Sequence, residues 1–316
     1  MSIAKFLVGL AAAIVLPAVP SSAAPLAYVP NEGSGSISVI DTATDKVIGE
    51  FQAGEKPRGV AASIDGKFLY VSDQPSSRLI KVDLATRKIA GTVALGKSPE
   101  GIDMSSDGRW VAGAIEVSNQ VVFVDTKSDR VDFAITVTGK NPEHAVFSPN
   151  GKLVFVSAED GDVVDVIDTA KRKQIAEIKV GLRPRSIGFA PDGKYAYVAA
   201  EGANQVYVID VASLQVVKVV KVGLRSNGVT VSRNGKRVYI SNGGDANVSV
   251  IDTANNEVIA TVGVGQRPWN MALTPDDDKL YVACGRSNAV FVIDTKANKQ
   301  IAAVPVGKLP WGVAIR

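Results

Sequence analysis

Apolar residues in this chain come in short runs that close on an aspartate. The runs end "SVID" at Asp41, "IKVD" at Asp83, "VFVD" at Asp125, "DVID" at Asp168, "YVID" at Asp210, "SVID" at Asp252 and "FVID" at Asp294. Successive aspartates lie 42 residues apart, except Asp125 and Asp168, which lie 43 apart. A period of that size marks a repeat architecture. A glycine follows each aspartate by 13 residues, at Gly54, Gly96, Gly181, Gly223, Gly265 and Gly307. The third repeat takes 14, to Gly139, which places its extra residue in or next to the turn "DTKSDRVDF".

Each repeat holds four β-like runs. In residues 185–223, "SIGFA" leads through the turn "PDGK" to "YAYVAA", then through "EGANQ" to "VYVID", and through "VASLQ" to "VVKVVKV". Asp-Gly and Asn-Gly pairs between apolar runs are strong hairpin signals. They recur at Gly66, Gly108, Gly151, Gly193 and Gly235, while the sixth version, "PDDDK", has Asp277 instead. Runs such as "VYVID" are apolar on both faces, as strands between two packed sheets must be. Four antiparallel strands per 42-residue unit predict an all-β, seven-bladed β-propeller. "AYV" and "SISVID" near the start read as second and third strands, and the final "WGVAIR" reads as a first strand. The C-terminal strand is therefore expected to join the N-terminal blade, leaving no open sheet edge at the seam.

Residues 1–23, "MSIAKFLVGLAAAIVLPAVPSSA", are of different composition. Lys5 precedes an apolar run from Phe6 to Val19, and Ser21 and Ala23 occupy the small-residue positions of a cleavage site. We read a secretory signal peptide, with a propeller domain over 24–316, a periplasmic location and no membrane span after cleavage. Cys284 is the one cysteine, so no intramolecular disulfide is available, and it reads as a small buried apolar residue. The 35 basic and 32 acidic side chains give a net charge of +3, too even for a nucleic-acid footprint.

"AYVPNEGSGSISVIDTATDKVI", "LYVSDQPSSRLIKVD", "VYISNGGDANVSVIDTANNEVIATV" and "LYVACGRSNAVFVIDT" resemble YVTN-type β-propeller repeats. "WVAG" at Trp110 and "FVSA" at Phe155 depart from that pattern. The leader, the seven repeats and the lack of another domain make the chain similar to the β-propeller proteins associated with PQQ-dependent catabolism. That resemblance implies an accessory role beside quinoprotein alcohol oxidation and a transport system, and it transfers no catalytic residue.

Residues shared by all repeats serve the fold, so function is sought where the repeats disagree. The joins between blades are such a place, and they are expected to rim the central channel. After the proline slot come Arg58, Glu100, Glu143, Arg185, Asn227, Trp269 and Trp311. One position further stand Gly59, Gly101, His144, Ser186, Gly228, Asn270 and Gly312. Before the slot stand Lys56, Ser98, Asn141, Arg183, Arg225, Arg267 and Leu309, and the fifth join has Ser226 in place of proline. Arginines bind planar carboxylates in pairs of hydrogen bonds, and tryptophan faces stack on flat rings. The mouth therefore suits an anionic aromatic ligand such as PQQ, bound without catalysis by a monomer. Two structural readings compete: arginines pairing with glutamates on a wet rim, and tryptophans plugging the channel. Two other functions stay open. One is a propeller lactonase-like hydrolase using His144, the only histidine. The other is a docking scaffold for a periplasmic quinoprotein dehydrogenase, a cytochrome or a transporter component. Neither a G-x-S-x-G elbow nor a metal-ligand or haem-attachment spacing is present.

Overall fold

The structure is a computed structural model and describes residues 24–316. The proposed signal peptide lies outside the described residues. Seven four-stranded antiparallel sheets follow one another around an axis. Blade 1 holds Leu26–Asn31, Ser36–Asp41 and Lys46–Gln52, with Ala314–Ile315 as its inner strand. Blades 2 to 7 begin at inner strands Pro57–Ala62, Pro99–Met104, Pro142–Phe147, Pro184–Phe189, Ser226–Val231 and Pro268–Leu273. No helix among the described residues is long and apolar enough to cross a membrane.

Alternation explains the packing. Neighbouring blades bury the side chains of both faces of each central strand. Between blades 3 and 4, for example, Ala112, Val121 and Phe123 pack with Phe147, Val154 and Val156. Cys284 lies in such an interface, wholly buried, and burial pushes its thiol up to about 12, so it is an inert core residue. The repeated aspartates cap the turns that follow them. Asp41 accepts from the Ala43 amide at 2.7 Å, Asp168 from Lys171 at 2.8 Å and Asp252 from Ala254 at 2.9 Å. The "PDDDK" turn keeps its shape because Asp277 takes the left-handed conformation itself, at φ 62°, where its counterparts use glycine.

The extra residue of the third repeat is not in the "DTKSDRVDF" turn. That turn runs from Asp125 to Arg130, the same length as from Asp41 to Lys46. The insertion is in the join that follows, where five residues separate Thr136 from Pro142 and four separate Gln52 from Pro57. A buried carboxylate holds it. Asp165, in blade 4, accepts from the Thr138 hydroxyl at 3.0 Å, the Gly139 amide at 3.0 Å and the Gln174 amide group at 2.6 Å.

The seam closes as the sequence predicts. Ala27 pairs with Ile315 and Tyr28 with Ala314. The Arg316 guanidinium donates to the Ser63 and Ile64 carbonyls at 3.2 and 2.6 Å. On the other side of blade 1, Lys279 and the buried Tyr281 hydroxyl of blade 7 both donate to Asp45. Deleting residues 310–316 removes Trp311 and Val313 from the interior and unpairs the inner edge of blade 1. Loss of one buried tryptophan side chain alone costs about 3–5 kcal/mol. Urea unfolding followed by circular dichroism is expected to show a drop of at least that size; an unchanged midpoint would contradict the closure.

Candidate functional site

Each join lies against the turn between a second and a third strand, so both reach one face. The Glu159 amide donates to the Asn141 carbonyl at 2.8 Å, and the Gly202 amide to that of Leu182 at 3.0 Å. Arg183, Arg225 and Arg267 have left-handed φ of 56°, 55° and 56°, but so do Ser98, Asn141 and Leu309. The strained backbone belongs to the join and aims whatever side chain stands there.

Three buried serines tie alternate blade pairs at this mouth. The Ser72 hydroxyl accepts from the Gly59 amide at 2.8 Å and donates to the Glu100 carbonyl at 2.6 Å. Ser241 does the same between the Gly228 amide and the Trp269 carbonyl, at 2.8 and 2.6 Å. Ser157 links the His144 amide to the Arg185 carbonyl. The backbones of Glu100, Arg185 and Trp269 are thereby fixed from the neighbouring blade.

On one side of the mouth the arginines are already paired. Arg58 reaches Glu100 at 2.5 Å and Glu32 at 3.1 Å. Arg185 reaches Glu143 at 2.9 Å, Glu159 at 2.5 Å and Glu201 at 3.7 Å. Arg183 also pairs with Glu159, and Arg267 with Glu201 at 3.0 Å. Glu32, Glu159 and Glu201 are residues that aligning the joins alone does not find. They belong to a second repeating position, just after each second strand, occupied by Glu32, Gln74, Glu116, Glu159, Glu201, Gly243 and Gly285. The same 42-residue period exposes it. The paired-rim reading of Arg58, Glu100, Glu143, Arg183, Arg185 and Arg267 is therefore what the structure shows.

The change to glycine in blades 6 and 7 opens the other side. A Cβ at Gly243 would meet the Arg267 guanidinium at 3.2 Å, and one at Gly285 would meet the Trp269 ring at 3.0 Å. Arg267 crosses blade 6 to reach Glu201, and Trp269 lies over backbone, with the Arg267 guanidinium 5.9 Å from its ring centre. Arg225 is exposed. The Trp269 indole N–H and the amide nitrogen of buried Asn227 are enclosed donors with no hydrogen-bond partner.

The two tryptophans have different fates. Trp311 is buried and stacks on His144 from the opposite wall, with ring centres 5.3 Å apart and planes at 19°. His144 and Trp311 plug the channel, while Trp269 flanks it. Gly101 makes room for the imidazole, since a Cβ there would overlap it at 2.3 Å. Burial first, then the Arg185 charge, push His144 down to about 4 against the pull of Glu143, so the ring is neutral near pH 7.

Glu100 is also shifted, in the other direction. Burial, and then the neighbouring Glu143 carboxylate, raise its pKa in spite of Arg58. The folded state therefore holds this proton more tightly than the unfolded chain, and the associated stability is lost as pH rises from the ordinary carboxylate range through the raised value. Glu100→Gln, which keeps an acceptor for Arg58, is expected to flatten that loss between pH 5 and 9 in urea midpoints. His144 acts equally in both chains, so a wild-type midpoint whose pH dependence over this range matches that of Glu100→Gln would refute the assignment.

A family model described as YNCE-like beta-propeller matches residues 11–108 and 102–315. Comparison with curated proteins finds no significant match. Among solved structures, Kuenenia stuttgartiensis hydrazine synthase is similar at 24% identity and TM-score 0.74, over 81% of this chain and 88% of that one. A functionally unknown protein from Desulfotomaculum acetoxidans aligns at 18% identity and TM-score 0.82, over 92% and 98%. A Bacteroides fragilis protein provisionally described as a 6-phosphogluconolactonase aligns at 18% and 0.80, over 94% and 99%. At such identities the likeness is one of fold.

Proposed function

The chain belongs to the YNCE-like β-propeller family, and from that premise we propose that it is a non-enzymatic binding protein for a flat, anionic small molecule. The ligand sits on the open sector of the mouth, formed by Arg225, Asn227 and Trp269, beside the buried Trp311 plug. The observation that carries this reading is the pair of enclosed, unpartnered donors on Asn227 and Trp269 beside the exposed Arg225. A buried donor without an acceptor is costly, and a ligand oxygen relieves that cost. PQQ, an aromatic polycarboxylate, meets each requirement: carboxylates for Arg225 and the two donors, and a flat ring for Trp269. Arg58, Arg183, Arg185 and Arg267 are left out of the ligand shell, because their charges are held by glutamates.

In this proposal the chain is exported to the periplasm as a monomer and serves PQQ-dependent alcohol catabolism. A quinoprotein dehydrogenase, a cytochrome or a transporter component is its partner.

A lactonase-like hydrolase is the second reading, drawn from His144 beside Glu143 and from the likeness to the Bacteroides fragilis protein. It requires His144 to leave its stack on Trp311. Fluorescence titration with PQQ separates the readings. We expect binding with Kd in the low to mid micromolar range, weakened about tenfold or more by Arg225→Ala and by Trp269→Ala. His144→Ala is expected to change affinity less than about threefold, given that it touches the plug and not the open sector. Absence of PQQ binding at tens of micromolar sinks the ligand assignment, and lactone hydrolysis abolished by His144→Ala installs the hydrolase.

A further inference from the structure

Beneath the plug, the inner strands enclose a cavity of about 210 Å³. Its wall combines the aliphatic Val60, Ile102, Val146, Ile187, Val229 and Met271 with the polar Ser186 and Asn270, and its lid is the stacked pair of His144 and Trp311. One charged side chain lines it, Asp103. The equivalent positions in the other six inner strands are Ala61, Val146, Gly188, Thr230, Ala272 and Ala314, so nothing in the repeat calls for a carboxylate there.

Asp103 is also without a counter-charge. Its carboxylate accepts from the Phe147 amide at 2.9 Å and from the Met104 amide, both neutral donors. Arg58, Arg185 and Arg267 are paired with glutamates and do not reach it. Burial alone pushes Asp103 up to about 6. A half-buried carboxylate without a counter-charge favours either a proton or a cation.

We propose that this cavity binds a short primary alkylammonium ion, with the ammonium on Asp103 and the alkyl chain against the aliphatic part of the wall beneath Trp311. The volume corresponds to about seven non-hydrogen atoms at the roughly 30 Å³ share of a liquid water. The carboxylate supplies the charge and the acceptor, and the aromatic lid adds a face that attracts cations. A divalent metal is a poor fit, because such ions take six or more oxygen ligands. Among the described residues no group of three or more acidic, histidine or cysteine side chains could hold a metal ion.

Calorimetric titration of the folded chain with n-butylammonium chloride tests the proposal, with n-butanol and potassium chloride as controls of equal shape and equal charge. Saturable butylammonium binding in the millimolar range is expected, as suits so few atoms, at least about tenfold tighter than butanol. The amide resonance of Phe147 is expected to shift on binding. Asp103→Asn should lose at least about tenfold in affinity, whereas Lys218→Ala, on an exposed outer strand, should change nothing. Equal affinity for butanol overturns the proposal on the wild-type chain alone, even where Asp103→Asn fails to fold. So does potassium binding as tightly as butylammonium, or an Asp103→Asn chain that binds as the wild type does.

Discussion

Closure of seven similar sheets around one axis is the constraint on which the molecule depends. Each blade must present the same wedge to both neighbours, so both faces of its inner strands are buried and the side chains there cannot differ much in volume. The second and third strands are accordingly near-copies, with buried residues such as Tyr28, Tyr70, Tyr197, Tyr239 and Tyr281 at one equivalent position. Variation is tolerated where strands end at the axis. Chemistry in this fold therefore gathers at the joins, and the serine bridges from Ser72, Ser157 and Ser241 give those joins a rigid base.

The mouth divides into two halves by a single kind of change. Where the second strand exits into a polar residue, in blades 1 to 5, glutamates hold Arg58, Arg183, Arg185 and Arg267. Where it exits into glycine, in blades 6 and 7, the arginine and tryptophan above gain room, and the Trp269 indole N–H is left without a partner. A network of paired buried charges is stiff and costly to disrupt. The open half, with its unsatisfied donors, is the half that gains by meeting a ligand. The His144–Trp311 stack then separates this surface from the channel interior, where Asp103 faces a different chemistry.

Much of the fold was legible from the sequence because periodicity is a one-dimensional signal. The spacing of Asp41 through Asp294, the turn pairs and the complementary chain ends led to seven blades and the closing strand. The position of the third repeat's extra residue was not, since Gly139 lies 14 residues after Asp125 whether the turn or the join is longer. The divergent join residues do meet at one mouth. That arginines pair with glutamates there was one of the readings the sequence offered, but the partners Glu32, Glu159 and Glu201 were illegible because they come from another repeating position, one that aligning the joins leaves out. The contrast between Trp269 and Trp311 was hidden for a different reason. Trp311 meets His144 across the axis, a contact between distant blades that leaves no trace in the spacing of either.

The central claim is that ligand recognition belongs to the glycine-backed half of the mouth. A crystal structure of the chain grown with PQQ tests it most directly. The account predicts the ring system against Trp269, with carboxylates on Arg225 and on the Asn227 and Trp269 donors, and with the Arg58 and Arg185 ion pairs intact. A ligand seated among Arg58, Arg183 and Arg185 with their glutamates displaced, or on the opposite face, would contradict it.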